Sequence, residues 1–575
     1  MTNTRYYDEH QDQIFKAYQA LDPEELHQVW AKDLIKNRKA GAACDIGAGS
    51  GRDANWLAKL GWEVVAVEPS KLRELGKEIS DPRVTWLDDS LPSLKTLRSL
   101  GHRFDLILLN AVWQHVRTSE RKRVFRVLCE LLNPAGLLLF SLRKGEDESE
   151  NQAREFHPVN SAELIQLGNQ HAVEHRAEYL NRQDLARKHV NWDWQIFEMP
   201  DDGTGNLPLL RHIIVNDNKS ASYKLGLLRT LVKLAENAPG VVTKREEDYV
   251  EVPFGAVGLY WIKLYHPLIL QRGLRQRPPG PGGYGFAQDA FYSLEHTSPS
   301  VLDLGYRFDV DRADSLRKAI LDVCRNIQIM PANFITYPGD ANRQVFECEA
   351  KTVQKHQGPV TLSKDYLSDF GTFRIPSLLW QTLGQFACWL DPAIVREWKQ
   401  LIIPWQNKGQ LDAADNYAFE WGSSQRETTT VSSRARQVRN EGFPLTCIWS
   451  AKLLKSKSNL AIDHCFPWSR WPNNDLWNLL PTRADVNLKK SDRLPAAETL
   501  ADAQARIVSW WERAWLDTPQ EEQFFIEANF ALPGLSSEKP SLERIHEATE
   551  HQRRRLKQDQ QIPEWPPLNK AIDLS

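Results

Sequence analysis

Between Ala42 and Leu142 the chain repeats one alternation, a short apolar run followed by an amphipathic stretch, and this fixes the architecture of its first third. The runs "AACDIG", "EVVAVE", "FDLILLN" and "GLLLFSL" are apolar almost throughout, as strands covered on both faces must be. Such strands separated by helical patterns predict an α/β domain around a parallel sheet. The polar run from Gly145 to Glu155 and the turn-rich "PDDGTGN" from Pro200 to Asn206 predict a boundary, which gives a first domain over 1–200.

A chain of 575 residues exceeds what one core can hold, so further domains are expected. Tyr223, Leu227, Leu228, Leu231 and Val232 recur at helical spacing, and the block 207–400 reads as mostly helical, with "RQRPPGPGGYG" as an internal loop. A third block spans 401–535. A charged helix or tail over 536–575, with "RRRLK" at Arg553 to Lys557, completes the chain.

Charged residues at 26% and hydrophobic residues at 41% exclude wholesale disorder. The longest apolar stretch, Phe254 to Ile262, is stopped by Lys263 and is too short for a membrane span. The opening MTNTRYYDEHQ is too polar for a secretory signal, and the seven cysteines include no C-x-x-C pair. A cytoplasmic protein with free thiols and no membrane partner is the expectation. The net charge of -3 hides a local excess: Arg426 to Lys457 holds seven basic residues against Glu427 and Glu441, the footprint expected for a phosphate backbone. Of the 21 tryptophans, the pairs Trp468 with Trp471 and Trp510 with Trp511 could stack bases, although burial in a core is the commoner fate.

"CDIGAGSGRDANWLAKLGWEVVAVEPS" sets out a strand, a glycine turn (Gly47, Gly49, Gly51), a helix and a second strand ending in Glu68. Glycines allow a sharp turn and close approach to a ligand, and an acid at that strand end can accept hydrogen bonds from ribose hydroxyls. An adenosine-containing cofactor fits, and the loop alone leaves a nicotinamide dinucleotide open. With "WLDDSLP" and "FDLILLNAVWQHV" following, residues from about 30 to 200 resemble the class I S-adenosylmethionine-dependent methyltransferases. The resemblance implies a Rossmann-like fold with S-adenosylmethionine (SAM) as cofactor. It assigns Asp45, Gly47, Gly49 and Gly51 to the first motif, Glu68 to the ribose, and Asp89, with Asp88 as the alternative, to the adenine. Asn110 opens the loop over the methionine part. Members that methylate exocyclic amines of DNA bases carry Asn or Asp followed by Pro-Pro-aromatic there, whereas this chain has Asn110-Ala-Val-Trp113 and no cysteine in the loop. The resemblance therefore leaves the acceptor open among a small molecule, RNA and protein. His115 is a candidate general base, against a capping or core role, and Tyr6 and Tyr7 would fold over the cofactor in the manner of this family.

The second chemical stretch is "IDHCFPWSRWPNNDLWNLLPTRADVNLKKSDRLP", from Ile462 to Pro495. Neighbours on a strand point to opposite faces, so His464 and Cys465 cannot easily share a zinc ion. Asp463 ends the short strand "LAID". A second strand is expected over Trp477 to Leu480, and Thr482-Arg-Ala-Asp485 reads as a capping box opening a helix with Asn487 one turn inside. Two strands and a helix can bring Asp463 and Asn487 together, and both offer the oxygen ligands that Mg²⁺ or Mn²⁺ prefers. The stretch resembles the HNH nucleases of the ββα-metal fold, an α+β class, and is close to the HNH domain of CRISPR RNA-guided nucleases. That resemblance makes His464 the general base, Asn478 the asparagine that braces the loop, and Asp463 and Asn487 the metal ligands. Lys489 or Lys490 could add charge near the phosphate, against a solvated helix face.

Taken together, these features imply a bifunctional enzyme, an HNH endonuclease acting on DNA or RNA joined to a methyltransferase, in restriction or antiviral defence by analogy. Two alternatives remain: a nuclease gated by SAM sensing, and a methyltransferase whose carboxy-terminal domain only binds nucleic acid.

Overall fold

The computed structural model describes residues 4–567 apart from 36–37, 146–147, 202, 281–283, 285, 408, 422–425, 455–458 and 536. Lys455 and Lys457 of the basic segment thus lie outside the described residues, as does part of the loop from Arg275 to Gly285. The chain forms two compact units, 1–205 and 206–575. The segments read from the sequence as 207–400, 401–535 and 536–575 all fall in the second.

The first unit is built on seven strands: β1 (Ala42–Ile46), β2 (Glu63–Val67), β3 (Val84–Leu87), β4 (Phe104–Leu109), β5 (Leu132–Lys144), β6 (Glu174–Gln183) and β7 (Asn191–Glu198). Their order is β3-β2-β1-β4-β5-β7-β6, parallel from β3 to β5, with β7 antiparallel to both neighbours. The central strands are almost wholly buried, while β6, "EHRAEYLNRQ", alternates and leaves one face to solvent, as an edge strand does. One face packs on Phe125, Leu128 and Phe140; the other holds Trp30, Trp56, Leu57 and Trp194. Chain order reverses between β1 and β4, which opens a crevice beyond their carboxyl ends, where the glycine turn lies. This is the Rossmann-like methyltransferase architecture.

In the second unit, helices dominate the first half, as the periodicity predicts. Phe254–His266, "FGAVGLYWIKLYH", is buried on every side and packs between Tyr223–Asn237 and Val310–Ile329. A four-stranded antiparallel sheet of Glu347–Ala350, Gly371–Pro376, Tyr249–Pro253 and Lys244–Arg245 was not anticipated; its strands are only two to six residues long. Among the described residues no helix is long and apolar enough to cross a membrane.

Toward the carboxy terminus, strands Leu460–His464 and Leu479–Arg483 pair antiparallel and lead into the helix Ala484–Lys490. The second strand starts two residues later than the sequence suggests, because the Asn478 N–H turns back to the Asp475 carbonyl at 2.9 Å. Thr482 is a buried strand residue 3.1 Å from the Cys447 thiol, and the helix is preceded by Arg483 with no side-chain cap. Trp510 and Trp511 are buried, their indoles donating to the carbonyls of Leu479 and Trp477, so they fasten a helix to the hairpin and offer no base platform. The charged terminal helix, Leu542–Gln560, is part of this core: Leu542, Ile545 and Leu556 are buried, and buried Arg553 bridges Glu550 and Glu564.

Candidate functional sites

In the first unit, residues 47–51 turn because three glycines adopt positive φ: 71° at Gly47, 55° at Gly49 and 76° at Gly51. A Cβ on Gly47 would lie 2.6 Å from Val112, and one on Gly51 2.6 Å from the Trp86 ring, so these two are also demanded by packing. The turn borders a cavity of about 380 Å³ at the switch point of the sheet. Gly47, Gly49, Glu68, Asp89 and Asn110 line it; Asp45 and Gly51 do not. Asp45 sits behind the turn, 2% exposed, and burial together with the negative charge of Asp53 pushes its carboxyl well above the usual range. Glu68 accepts the Gly49 N–H at 2.8 Å and the Ser70 N–H at 2.9 Å, and burial raises its pKa despite these bonds. Asp89 holds the N–H groups of Ser90 and Leu97, whereas Asp88 is largely exposed and pairs with Arg73.

Asp53, unremarked in the sequence, is the hub of this region. Its buried carboxylate takes Arg52 at 2.8 Å, His27 at 3.0 Å and the Asn110 amide at 2.9 Å, and the charges of Arg52 and His27 outweigh burial to hold its pKa well below the usual range. Ser141 donates to the other end of the Asn110 carboxamide at 2.8 Å, which fixes the loop after β4. A polar side chain in the first turn after "GSG" is the only signal that could have marked Asp53.

Tyr7, His115, Arg143, Arg154 and Arg187 line the other side of the cavity. The Tyr7 hydroxyl lies 3.1 Å from His115 Nε2, and burial, aided by the charge of Arg154, pushes the imidazole down to about 4. It is therefore neutral at physiological pH, as a proton acceptor must be. The polar run predicted to be a break contains a helix, Glu148–Arg154, which delivers Arg154 to this wall.

In the second unit, the Asp463 carboxylate is 4% exposed and accepts the Trp449 indole N–H at 2.7 Å. Lys490, fully buried, reaches it at 3.1 Å and donates to the His464 carbonyl at 2.7 Å. The solvated fate considered for Lys490 is thus replaced by a buried ion pair, while Lys489 stays exposed. Asn487 is half-buried on the same helix, three residues before Lys490 and so a neighbour on its surface. His464 Nε2 lies 3.1 Å from Asn474 Oδ1, and burial lowers the imidazole pKa. Asn474 Oδ1 also accepts the Glu427 N–H at 3.2 Å, which identifies it as the oxygen; His464 must then donate from Nε2 and keep its lone pair on Nδ1. Asn478 is fully buried, accepting the Phe466 N–H and donating to the Asn473 carbonyl, both at 3.0 Å. Lys490 thus ties the Asp463 carboxylate to the His464 carbonyl, while the His464 ring turns to Asn474 in the loop that Asn478 braces. Sequence reasoning missed Asn474 and Trp449, which join this site only through folding.

Comparison with known proteins matches three stretches of the chain to family models. Residues 12–186 match the methyltransferase domain model, residues 447–496 the HNH endonuclease model, and residues 203–419 a domain of unknown function (DUF8808). An uncharacterized methyltransferase of Alkaliphilus oremlandii is 26% identical over 137 residues, 24% of this chain and 58% of that protein, so the chain spans little more than half of that relative. Similar solved structures include a phosphoethanolamine N-methyltransferase of Haemonchus contortus (17% identity, 34% of this chain and 60% of that one, TM-score 0.27). Another is the magnesium protoporphyrin IX methyltransferase of Synechocystis PCC 6803 (13% identity, 34% and 97%, TM-score 0.28). The chain carries an amino-terminal methyltransferase domain and a carboxy-terminal HNH endonuclease domain.

Proposed function

We propose that this chain couples a SAM-dependent methyltransferase to a metal-dependent endonuclease that cleaves DNA, in restriction or antiviral defence. The observation that carries the nuclease half is the strand end at which Asp463 is buried, Asn474 holds the His464 imidazole and Asn478 braces the loop. Asp463 and Asn487 would hold Mg²⁺ or Mn²⁺, since both offer hard oxygen donors. Asp463 is already paired with the buried Lys490 ammonium, so a metal ion would have to share or displace that partner, and among the described residues no cluster of three or more His, Cys, Asp or Glu is placed to hold one. When bound, the ion offsets the charge developing on the phosphate and on the departing 3′ oxygen. His464 takes the proton of the attacking water at Nδ1, and Asn474 holds the ring for it. Asn478 keeps the loop closed over the strand end.

In the first unit, Gly47, Gly49, Glu68, Asp89 and Asn110 would hold SAM across the cavity, where backbone without Cβ atoms allows close approach and Glu68 can turn to the ribose. Bound there, SAM supplies an electrophilic methyl group. His115, neutral and within reach of the Tyr7 hydroxyl, receives the acceptor's proton.

Plasmid cleavage in Mg²⁺, measured with and without SAM for the wild type and His464→Ala, tests this proposal. Metal-dependent cutting lost in the variant is the expected result. Cleavage undiminished by His464→Ala removes the nuclease assignment, and cleavage that requires SAM without methyl transfer replaces bifunctionality by gating.

A further inference from the structure

We propose that the methyl acceptor is a small anionic molecule whose carboxylate or phosphate is held by Arg143, Arg154 and Arg187 on the His115 side of the cavity; this rests on the methyltransferase reading of the first unit. The three guanidinium groups come from separate segments, the end of β5, the helix Glu148–Arg154 and the turn before β7, and converge on a single carboxylate. Glu150 takes Arg143 at 2.5 Å, Arg187 at 2.8 Å and Arg154 at 3.5 Å. Glu150 does not line the cavity, whereas all three arginines do. The carboxylate therefore stands behind the guanidinium groups, with Arg143 also donating to Asn151 at 2.8 Å and Arg187 to Asp184 at 2.9 Å.

The compensation is incomplete in two ways. Among these inner groups, three positive charges face Glu150 and Asp184, the latter bound to Arg187 at 2.9 Å, so one positive charge remains. Arg117, Glu120 and Glu155 also border the cavity; Arg117 and Glu155 are exposed, where water screens charge, and half-buried Glu120 lies outside the count of the inner groups. In addition, the Nε atoms of Arg143 and Arg154 are buried without a hydrogen-bond partner, and the Arg143 side chain is only 4% exposed. A buried donor without a partner is costly, and Arg143 and Arg154 each carry one on this wall. The acceptor oxygen Oε1 of Gln114, also lining the cavity, is buried and unpartnered too. It suits a ligand that carries a hydroxyl or amine beside its anionic group.

The guanidinium planes are also held in place. Arg143 lies 5.2 Å from the Phe156 ring, and Arg154 lies 5.0 Å from Tyr6 and 5.8 Å from Tyr7. A planar fork already oriented loses little entropy on gripping a carboxylate or phosphate. The arginines lie inside a cavity of about 380 Å³, which admits a small molecule and not the backbone of a duplex.

The test uses the full chain saturated with S-adenosylhomocysteine and two probes, inorganic phosphate and malonate, read by calorimetric titration and by thermal shift. One of the two probes should bind the wild type and weaken about tenfold or more in Arg154→Gln, the loss of one charge-assisted hydrogen bond, while the affinity for S-adenosylhomocysteine stays within about twofold. Arg187→Gln, at a more exposed position, should weaken the same probe and guards against misfolding of the first variant. Several results overturn the proposal: neither probe binding, equal binding by wild type and variants, or loss of S-adenosylhomocysteine affinity in Arg154→Gln, which would give the arginines to the cofactor's own carboxylate. Methylation of a DNA oligonucleotide that depends on Arg154 would also overturn it. If the wild type fails to bind S-adenosylhomocysteine at all, the methyltransferase reading falls first and the acceptor with it.

Discussion

Lys490→Met removes one half of the buried ion pair and leaves the Asp463 carboxylate with the Trp449 indole as its remaining partner. Both side chains are almost wholly out of water, at 0% and 5% exposure, so solvent cannot replace the lost charge. Breaking a buried pair in this way costs about 3–5 kcal/mol. The His464 carbonyl also loses its donor at 2.7 Å. In a unit as large as 206–575 this corresponds to a fall in melting temperature of roughly 5 °C or more. The distinguishing result concerns Mg²⁺. In the wild type an ion must share Asp463 with the ammonium group; in the variant it is the natural replacement for it. A site filled at a hundred times its dissociation constant returns about 2.7 kcal/mol. Mg²⁺ should therefore raise the melting temperature of Lys490→Met by several degrees more than that of the wild type, as followed by tryptophan fluorescence. Equal Mg²⁺ shifts in the two proteins, or no shift in either, would refute the claim that Asp463 is a cation-binding carboxylate.

Other outcomes follow from the same geometry. Because burial lowers the His464 pKa, its base form persists below the usual imidazole range; DNA cleavage should rise to its plateau with an inflection under pH 6.5 in a pH–rate profile, and an inflection above that contradicts the environment described. Gly51→Ala places a methyl 2.6 Å from the Trp86 ring at a φ of 76°, and should lower the melting temperature of the first unit and weaken S-adenosylhomocysteine binding at once, measured by calorimetry. Asn478→Ala leaves the Phe466 N–H buried without its acceptor and should cost about 1–3 kcal/mol and most cleavage activity, read by denaturant unfolding and plasmid nicking. Burial raises Asp475 to about 7, so the folded state binds more protons than the unfolded chain between pH 4 and 7; stability from this group is present at the acid end and lost as pH rises through 7. Asp475→Asn should flatten that stretch of the stability profile.

What could be read from the sequence was local. The glycine turn and Glu68 lie within one strand-helix-strand unit, and Asp463 with His464 are adjacent, so their placement could be read locally. Asn487 could be assigned to the helix after the hairpin, where Ala484–Lys490 includes it as the fourth residue. The burial of Lys490 could not be read, since exposure of a helical lysine depends on what the helix packs against, and that partner is a strand 26 residues away. The second strand of the hairpin was set two residues early because "WNLL" is as apolar as "LLPT"; the choice is made by the turn in which the Asn478 N–H binds the Asp475 carbonyl. The arginine cluster was the least visible. Arg143, Arg154 and Arg187 share no motif, and the segment that positions one of them reads as a polar break.

The same reasoning explains why the HNH match, 447–496, is not a self-sufficient piece of structure. The loop that presents Asn474 to His464 has its neighbours tied on every side. Asp475 binds the Asn473 amide at 2.8 Å and the Trp477 indole at 3.0 Å, and the Leu476 N–H is taken by Glu527 at 2.7 Å. The Trp477 carbonyl accepts the Trp511 indole at 3.1 Å. Two of these anchors, Glu527 and Trp511, lie beyond the matched residues, on helices Glu521–Ala531 and Ala497–Trp515. Burial raises the pKa of Glu527 well above its usual range, and the charges of Asp475 and Asp303 add to the effect, so a carboxyl from the 203–419 block lies close enough to be felt at the same loop. An imidazole tautomer at this strand end is thus set by contacts that reach through the second unit. The proposed base stays oriented only while the helices around it are folded, so the proposed nuclease site depends on the surrounding second unit.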